Sequence, residues 1–371
     1  MKIGILSAQT GKGHISVANA LKKRFEDYAE VEVFPSFYED LMVSNKIISD
    51  YYNFLMVNST QLCHEFSRLS YITRPDLSET FYQGVEQSIK KFLNEHKFDK
   101  IISTSHTINH AVLRAIDELN LQEKPKYYIV VTDPFYPISV GFDAEGASKY
   151  YCSSDRVRDF LIQRGMKESK VVKKAYPVDD KFLKSFTEAE IQDIYKKYEL
   201  SSKKRTILIN SGSQGAFHYL TFLKEIIKDM RDLQVIFISG KNEALYHMAC
   251  NAADGKEEQV KILGYVNNIE DFMRISDVCF TKPGANAFFE CLSMQKPVII
   301  DGAEGFLYQE KGVIEFLNER KVGRIITDFS ETSSIIHAFF EKEIYEGYKR
   351  QLAKITVDQG AREIALDIWN D

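Results

Sequence analysis

The sequence predicts an α/β protein of two doubly wound domains, each a parallel sheet flanked by helices. Three observations predict it. Short β-branched and aromatic runs alternate with amphipathic stretches along the chain, the pattern of strands joined by crossover helices. Glycine-rich turns fall where the strand runs end, at Gly11 and Gly13, Gly212 and Gly215, Gly240, Gly264 and Gly284, the edge at which such sheets bind ligands. A chain of 371 residues, 44% hydrophobic and 27% charged, is long enough to core two domains.

The elements follow in order. "KIGILSA" is a strand, with a helix from about His14. "KIISTS" leads into the helix "HTINHAVLRAIDEL", "KYYIVVTD" follows, and "KYYCSS" leads into "DRVRDFLIQRG". At "AYPVDDKFLKSFTEAE", Pro177 and a polar run break the alternation, and Thr187 caps a helix carrying Glu190 three residues on. The domain boundary is placed there. The second half gives six strands: "RTILINSG", "QVIFISG", "VKILGYV", "DVCFTKPG", "KPVIIDGA" and "VGRIITD". A helical tail, about 345–371, is expected to cross back onto the first domain. The expected units are 1–178 with that tail, and 179–344.

Composition narrows the function. A net charge of -5 without a Lys/Arg block argues against nucleic-acid binding. No run reaches the roughly 18 to 20 apolar residues of a membrane span, and "MKIGILSAQTGKGH" is a strand and glycine turn rather than a leader, so a cytoplasmic location is expected. Cys63, Cys152, Cys250, Cys279 and Cys291 form no CxxC pair and are read as reduced core thiols. No DxD follows a strand, and Asp179-Asp180 lie in the linker, so neither metal nor cofactor is expected.

Two turns carry the chemistry. In "TKPGANAFFE", Lys282, Pro283 and Gly284 lead into a helix whose first residues, Ala285, Asn286 and Ala287, offer no hydroxyl cap. Free backbone N–H groups and the positive helix end make an anion site there. Gly212, Ser213, Gln214 and Gly215 form a second small-residue turn, and two such turns across a cleft suit a diphosphate; alone, either is an ordinary βα loop. Glu290, one turn into the helix, can reach a ribose diol or simply complement the helix dipole. Gln309 and Glu310 in "YQEKG" offer hydroxyl readers for a sugar, or a capping segment. His14, beside Gly13 at the carboxyl edge of the first sheet, suits a general base; Asp133 is the alternative base, or a helix or loop cap.

"GSQGA", "ILGYVNNIEDFMRISDVCFTKPG" with its following glutamate, and "QEKG" resemble the nucleotide-sugar half of glycosyltransferase family 28. That family holds monogalactosyldiacylglycerol synthases, processive diacylglycerol glucosyltransferases and the peptidoglycan N-acetylglucosaminyl transferase. "SAQTGKGHISVANAL" resembles its N-terminal glycine loop. The resemblance spans most of the chain and is strongest over 206–323. It implies a GT-B fold, inverting transfer and a UDP-sugar donor. It places Ser213 and Gln214 near the diphosphate or base, the backbone of Tyr265 and Val266 at uracil, Glu290 at the ribose, Gln309 and Glu310 at the transferred sugar, and His14 near the acceptor. Three departures stand out: Ala287 replaces a threonine, Val313 an asparagine, and "DPFYPISVGF" lacks the histidine and tryptophan of lipid-using members, leaving Tyr136 and Phe142 as candidate aromatic surface.

The resemblance also implies a hydroxyl acceptor, foremost diacylglycerol or a related lipid. A soluble acceptor, or a non-catalytic nucleotide-sugar binder on the same fold, is the alternative. The segment 34–82 is unusually aromatic, with Tyr51, Tyr52, Phe54 and Leu55 close together. It reads either as a peripheral membrane contact or as a buried helical hairpin, and it lacks the Lys/Arg excess of amphipathic membrane helices.

Overall fold

The computed structural model describes residues 1–10, 12–26, 28–119, 123–230 and 232–371; Gly11 lies outside the described residues. Two six-stranded parallel sheets organise the chain. The first contains β1 (Lys2–Leu6), β2 (Glu30–Phe34), β3 (Lys100–Ser103), β4 (Lys126–Val130), β5 (Lys149–Cys152) and β6 (Val171–Lys173), in the order β2-β1-β3-β4-β5-β6. The second contains β7 (Arg205–Asn210), β8 (Leu233–Ile238), β9 (Val260–Leu263), β10 (Val278–Thr281), β11 (Val298–Asp301) and β12 (Gly323–Ile326), in the order β12-β11-β10-β7-β8-β9.

Central strands are apolar on both faces because helices cover both: the adjacent Ile5 and Leu6 of β1, and Ile207, Leu208 and Ile209 of β7, are fully buried. Two strands escape the sequence reading, and both are edges. In β2, "EVEVF", Glu30 is exposed and the valines are half-buried, while β6 is three residues long; a short, charged strand is how a sheet edge resists further pairing.

In each sheet the strand order reverses at one place, between β1 and β3 and between β7 and β10. A crevice opens beyond the strands at each reversal. The two glycine turns singled out in the second half therefore sit side by side.

The tail is two helices rather than one. Lys342–Leu352 buries Tyr345 and Tyr348 in the second sheet's core, and only Gly360–Asn370 crosses to pack on the helix Gly13–Phe25. A Cβ on Gly360 would lie 2.1 Å from the Ala175 carbonyl oxygen, so a larger residue would push this helix off the chain leading out of β6. Lysines at the starts of β3 and β5 hold its carboxyl end: Lys100 Nζ donates to the Ile368 carbonyl at 2.5 Å, and Lys149 Nζ lies 3.0 Å from Asp367 and from Asp371, a favourable charge for that end of the dipole. In the linker, Asp179 and Asp180 pair with Lys23 and Arg24, and Thr187 with Glu190 forms the expected capping box.

The helices Val43–Asn58 and Thr60–Thr73 form a hairpin, with the Ser59 hydroxyl accepting from Leu62 N at the turn. At its foot Arg74 pairs with the buried Asp76 and Asp143. Its tip reaches the second sheet's loops, where Leu55 and Cys63 bury with Leu307 and Phe217 N donates to the Val57 carbonyl at 3.3 Å, and nearer the foot the Tyr71 ring lies 4.6 Å from Tyr308. The hairpin thus roofs the space between the two sheets.

Candidate active site

A cleft of about 950 Å³ lies between the carboxyl edges of the two sheets. Its second-sheet wall is made by the turns after β7 and β10. Gly215, at φ +78, could not carry a side chain, since its Cβ would meet the Ser239 carbonyl oxygen at 2.0 Å. Asn242 Nδ2 donates to the Gly215 carbonyl at 2.8 Å and Gly212 N donates to Asn210 Oδ1 at 3.1 Å, fixing the turn from both flanks. After β10, Gly284 is the N-cap of the helix Ala285–Ser293 and no side chain caps it. Lys282 beside it makes no ion pair among the described residues and reaches toward Gly212. An uncapped helix end and a lysine facing one cleft form an anion cradle.

Most of the singled-out residues line this cleft: Gly13, His14, Asp133, Gly212, Ser213, Lys282, Pro283, Gly284, Ala285, Asn286, Ala287, Glu290, Gln309 and Glu310. Gln214 lines a smaller adjoining cavity with His64, His218 and Asp301. Tyr265 is half exposed beside Lys12, and Val266 packs against the core. Asn286 has its side chain committed elsewhere: Nδ2 donates to the Gly13 carbonyl at 2.8 Å, and Oδ1 accepts from the Tyr176 hydroxyl at 2.6 Å. It clasps the two halves together, leaving its backbone amide for the cradle.

The Glu290 carboxylate has no hydrogen-bond partner among the described residues, and burial pushes it up to about 7 against the pull of Lys181. Glu310 Oε2 accepts from Leu307 N at 2.9 Å, so the capping role is present, and burial raises this carboxyl too, with Lys282 opposing. Gln309 Oε1 is buried without a partner.

The facing wall holds His14. Its Nδ1 lies 2.8 Å from the Thr104 carbonyl oxygen and 2.9 Å from Thr132 Oγ1. A carbonyl can only accept, so we assign the proton to Nδ1, which leaves Nε2 unprotonated on a residue that lines the cleft. Burial lowers the imidazole below its ordinary value and raises Asp133 above its own, each opposed by the other's charge. Asp133 Oδ2 accepts from Ser139 N at 2.7 Å, so the loop-cap role read from the sequence is also present.

The sequence reading missed His106. It ends the β3 run as His14 ends that of β1, and that parallel was the signal. Its ring centroid lies 5.6 Å from that of His14, its Nδ1 lies 2.9 Å from the Val140 carbonyl oxygen, and burial lowers it to about 4. Two expectations are corrected. Phe142 is fully buried in the core, and Tyr136 packs on Phe160 under Arg156, so neither gives the cleft an aromatic surface. The cleft's apolar surface comes instead from the hairpin and its neighbours, through the rings of Tyr38, Tyr52 and Phe66 and the aliphatic Met42, Ile48 and Leu69.

At the foot of the hairpin, Asp76, His110 and Asp143 bring possible metal ligands within 4.8 Å, but Arg74 and Arg164 already pair with the carboxylates, so the cluster braces that foot. Among the described residues no helix is long and apolar enough to cross a membrane.

Comparison with known proteins matches residues 14–178 to the monogalactosyldiacylglycerol (MGDG) synthase family and 206–300 to the glycosyltransferase family 28 C-terminal domain. The first half of the chain thus resembles MGDG synthase, and the second the C-terminal domain of glycosyltransferase family 28. Similar relatives include the processive diacylglycerol beta-glucosyltransferases of Bacillus pumilus, 26% identical over 99% of this chain and 94% of the relative, and of Bacillus cereus, 29% identical over 81% and 76%. The fold is GT-B. Among solved structures, Acinetobacter baumannii MurG superposes with a TM-score of 0.63 at 12% identity, covering 100% of this chain and 99% of the other. S. aureus MnaA, solved with UDP, gives 0.61 at 14% identity, covering 100% and 96%.

Proposed function

We propose that the protein moves a hexose from a UDP-sugar to the hydroxyl of diacylglycerol or a related lipid, with inversion and without a metal ion. The observation that carries this reading is the facing of two walls: the free Nε2 of His14 on one, and the uncapped helix at Ala285 with Lys282 and Glu290 on the other. The relatives' diacylglycerol substrate and MnaA's bound UDP support it.

In this mechanism the diphosphate rests on the amides of Ala285 to Ala287 and on the turn at Gly212 and Ser213, near Lys282. Glu290 takes the ribose hydroxyls, and Gln309 and Glu310 those of the hexose. The acceptor hydroxyl gives its proton to His14 Nε2 as its oxygen bonds the anomeric carbon. On the opposite face the bond from that carbon to the β-phosphate oxygen breaks, and UDP leaves with the electron pair. The helix end and Lys282 meet the charge that develops on UDP, while Asp133 offsets the imidazolium.

The hairpin fits a lipid acceptor. Of the sixteen large apolar side chains exposed among the described residues, nine lie within 43–77, a concentration that points to a docking surface rather than scattered exposure. The hairpin's inner side lines the cleft through Tyr52, Met56 and Phe66. A bilayer held on the outer side would present a diacylglycerol hydroxyl beside His14.

The test incubates the purified protein with UDP-glucose or UDP-galactose and diacylglycerol in mixed micelles containing EDTA. The expected product is a hexosyl diacylglycerol whose anomeric configuration is opposite to the donor's. Transfer confined to soluble acceptors, or UDP binding without any transfer, would overturn the lipid-transferase reading.

A further inference from the structure

Among the described residues, four carboxylates line the cleft, Asp76, Asp133, Glu290 and Glu310, against two lysine or arginine side chains, Lys282 and Lys12. Lys12 belongs to the first-sheet wall. It precedes Gly13, whose carbonyl accepts from Asn286 Nδ2 at 2.8 Å, so the lysine stands beside the uncapped helix turn at Ala285.

Its position goes against local preference. Lys12 is the N-cap of the helix Gly13–Phe25, where it provides no side-chain acceptor and puts positive charge at the positive end of the dipole. Local misfits of this kind concentrate at functional positions. Nor does a carboxylate compensate, for Lys12 makes no ion pair among the described residues. Its ammonium lies 4.5 Å from the Tyr265 ring centroid and 3.5 Å from that hydroxyl, across the mouth of the cleft. An exposed cation–π contact is a weak hold, readily exchanged for a phosphate oxygen.

We propose that Lys12 is a second diphosphate-binding cation for the donor. On donor binding its ammonium leaves Tyr265 for the phosphate oxygens, on the side facing Lys282. The inference rests on the UDP-sugar reading above and adds a cation from the other wall, so that both halves of the protein hold the departing UDP.

Calorimetric titration with UDP and with uridine tests this on the wild type, Lys12→Ala and Lys12→Arg, with thermal melts confirming the fold. The expected result is that Lys12→Ala weakens UDP about tenfold, the scale of one charge-assisted contact, leaves uridine unchanged, and is largely rescued in Lys12→Arg. Unchanged UDP binding in Lys12→Ala, or an equal loss for UDP and uridine, would overturn the phosphate role while leaving the donor assignment standing. A wild type that binds no UDP would overturn the donor assignment and this role together.

Discussion

Replacing Ile47 and Phe54 together by serine should detach the protein from lipid without unfolding it. The two residues lie seven apart on one face of the first hairpin helix and are 63% and 59% exposed. Full burial of such side chains stabilises by about 2 to 3 kcal/mol. Removing about 60% of that for each costs about 3 kcal/mol together, or about 100-fold in vesicle partition. The hairpin's charges, Lys46 and Arg68 against Asp50 and Glu65, cancel, so binding should vary little with salt. Co-sedimentation with phosphatidylcholine vesicles containing phosphatidylglycerol at two ionic strengths measures both effects, with thermal melts as the fold control. A partition change under threefold, or binding abolished by salt alone, would refute the reasoning.

Two further predictions concern titration. His14 acts only when neutral, and its pKa lies below the ordinary 6.5, so kcat/KM should be flat above that pH and fall as pH drops through the lowered value. Asp133→Asn removes the carboxylate that holds this pKa up, so it should move the acid limb lower and cut kcat about tenfold or more; an acid limb above 6.5 would contradict the assignment. Glu290, at about 7, is half protonated at neutral pH. Ribose hydroxyls donating to it favour the carboxylate and lower its pKa, so UDP binding at pH 7 should release up to about half a proton. Calorimetry in two buffers of different ionisation enthalpy reads that release, and Glu290→Gln should abolish it.

Much of the scaffold was legible because burial leaves a periodic trace. The six strands of the second half are apolar runs bounded by glycine or Lys-Pro turns, and the Thr187 capping box needs only local spacing. The edge strands β2 and β6 were not legible, since half-exposed or three-residue strands carry little pattern. At the site, the sequence marked the two glycine turns, but their adjacency depends on β10 pairing with β7, a choice made by crossover direction. Asn286 shows the same limit: its place in the anion turn was visible, its partners Gly13 and Tyr176, at least 110 positions away, were not. The hairpin was recognised as aromatic. Which faces turn outward could not be read, because Tyr51 and Phe54 face solvent while Leu55 buries against Leu307, far along the chain.

The most direct test of the facing-wall mechanism is His14→Ala, measured for hexosyl transfer and for UDP affinity on the same preparation. The prediction is a loss of about 10² to 10⁴ in kcat, with the Kd for UDP unchanged within about twofold, because His14 lies on the wall opposite the diphosphate cradle. Transfer that survives the substitution, or UDP binding lost in step with it, would contradict the assignment of His14 as the base acting across the cleft.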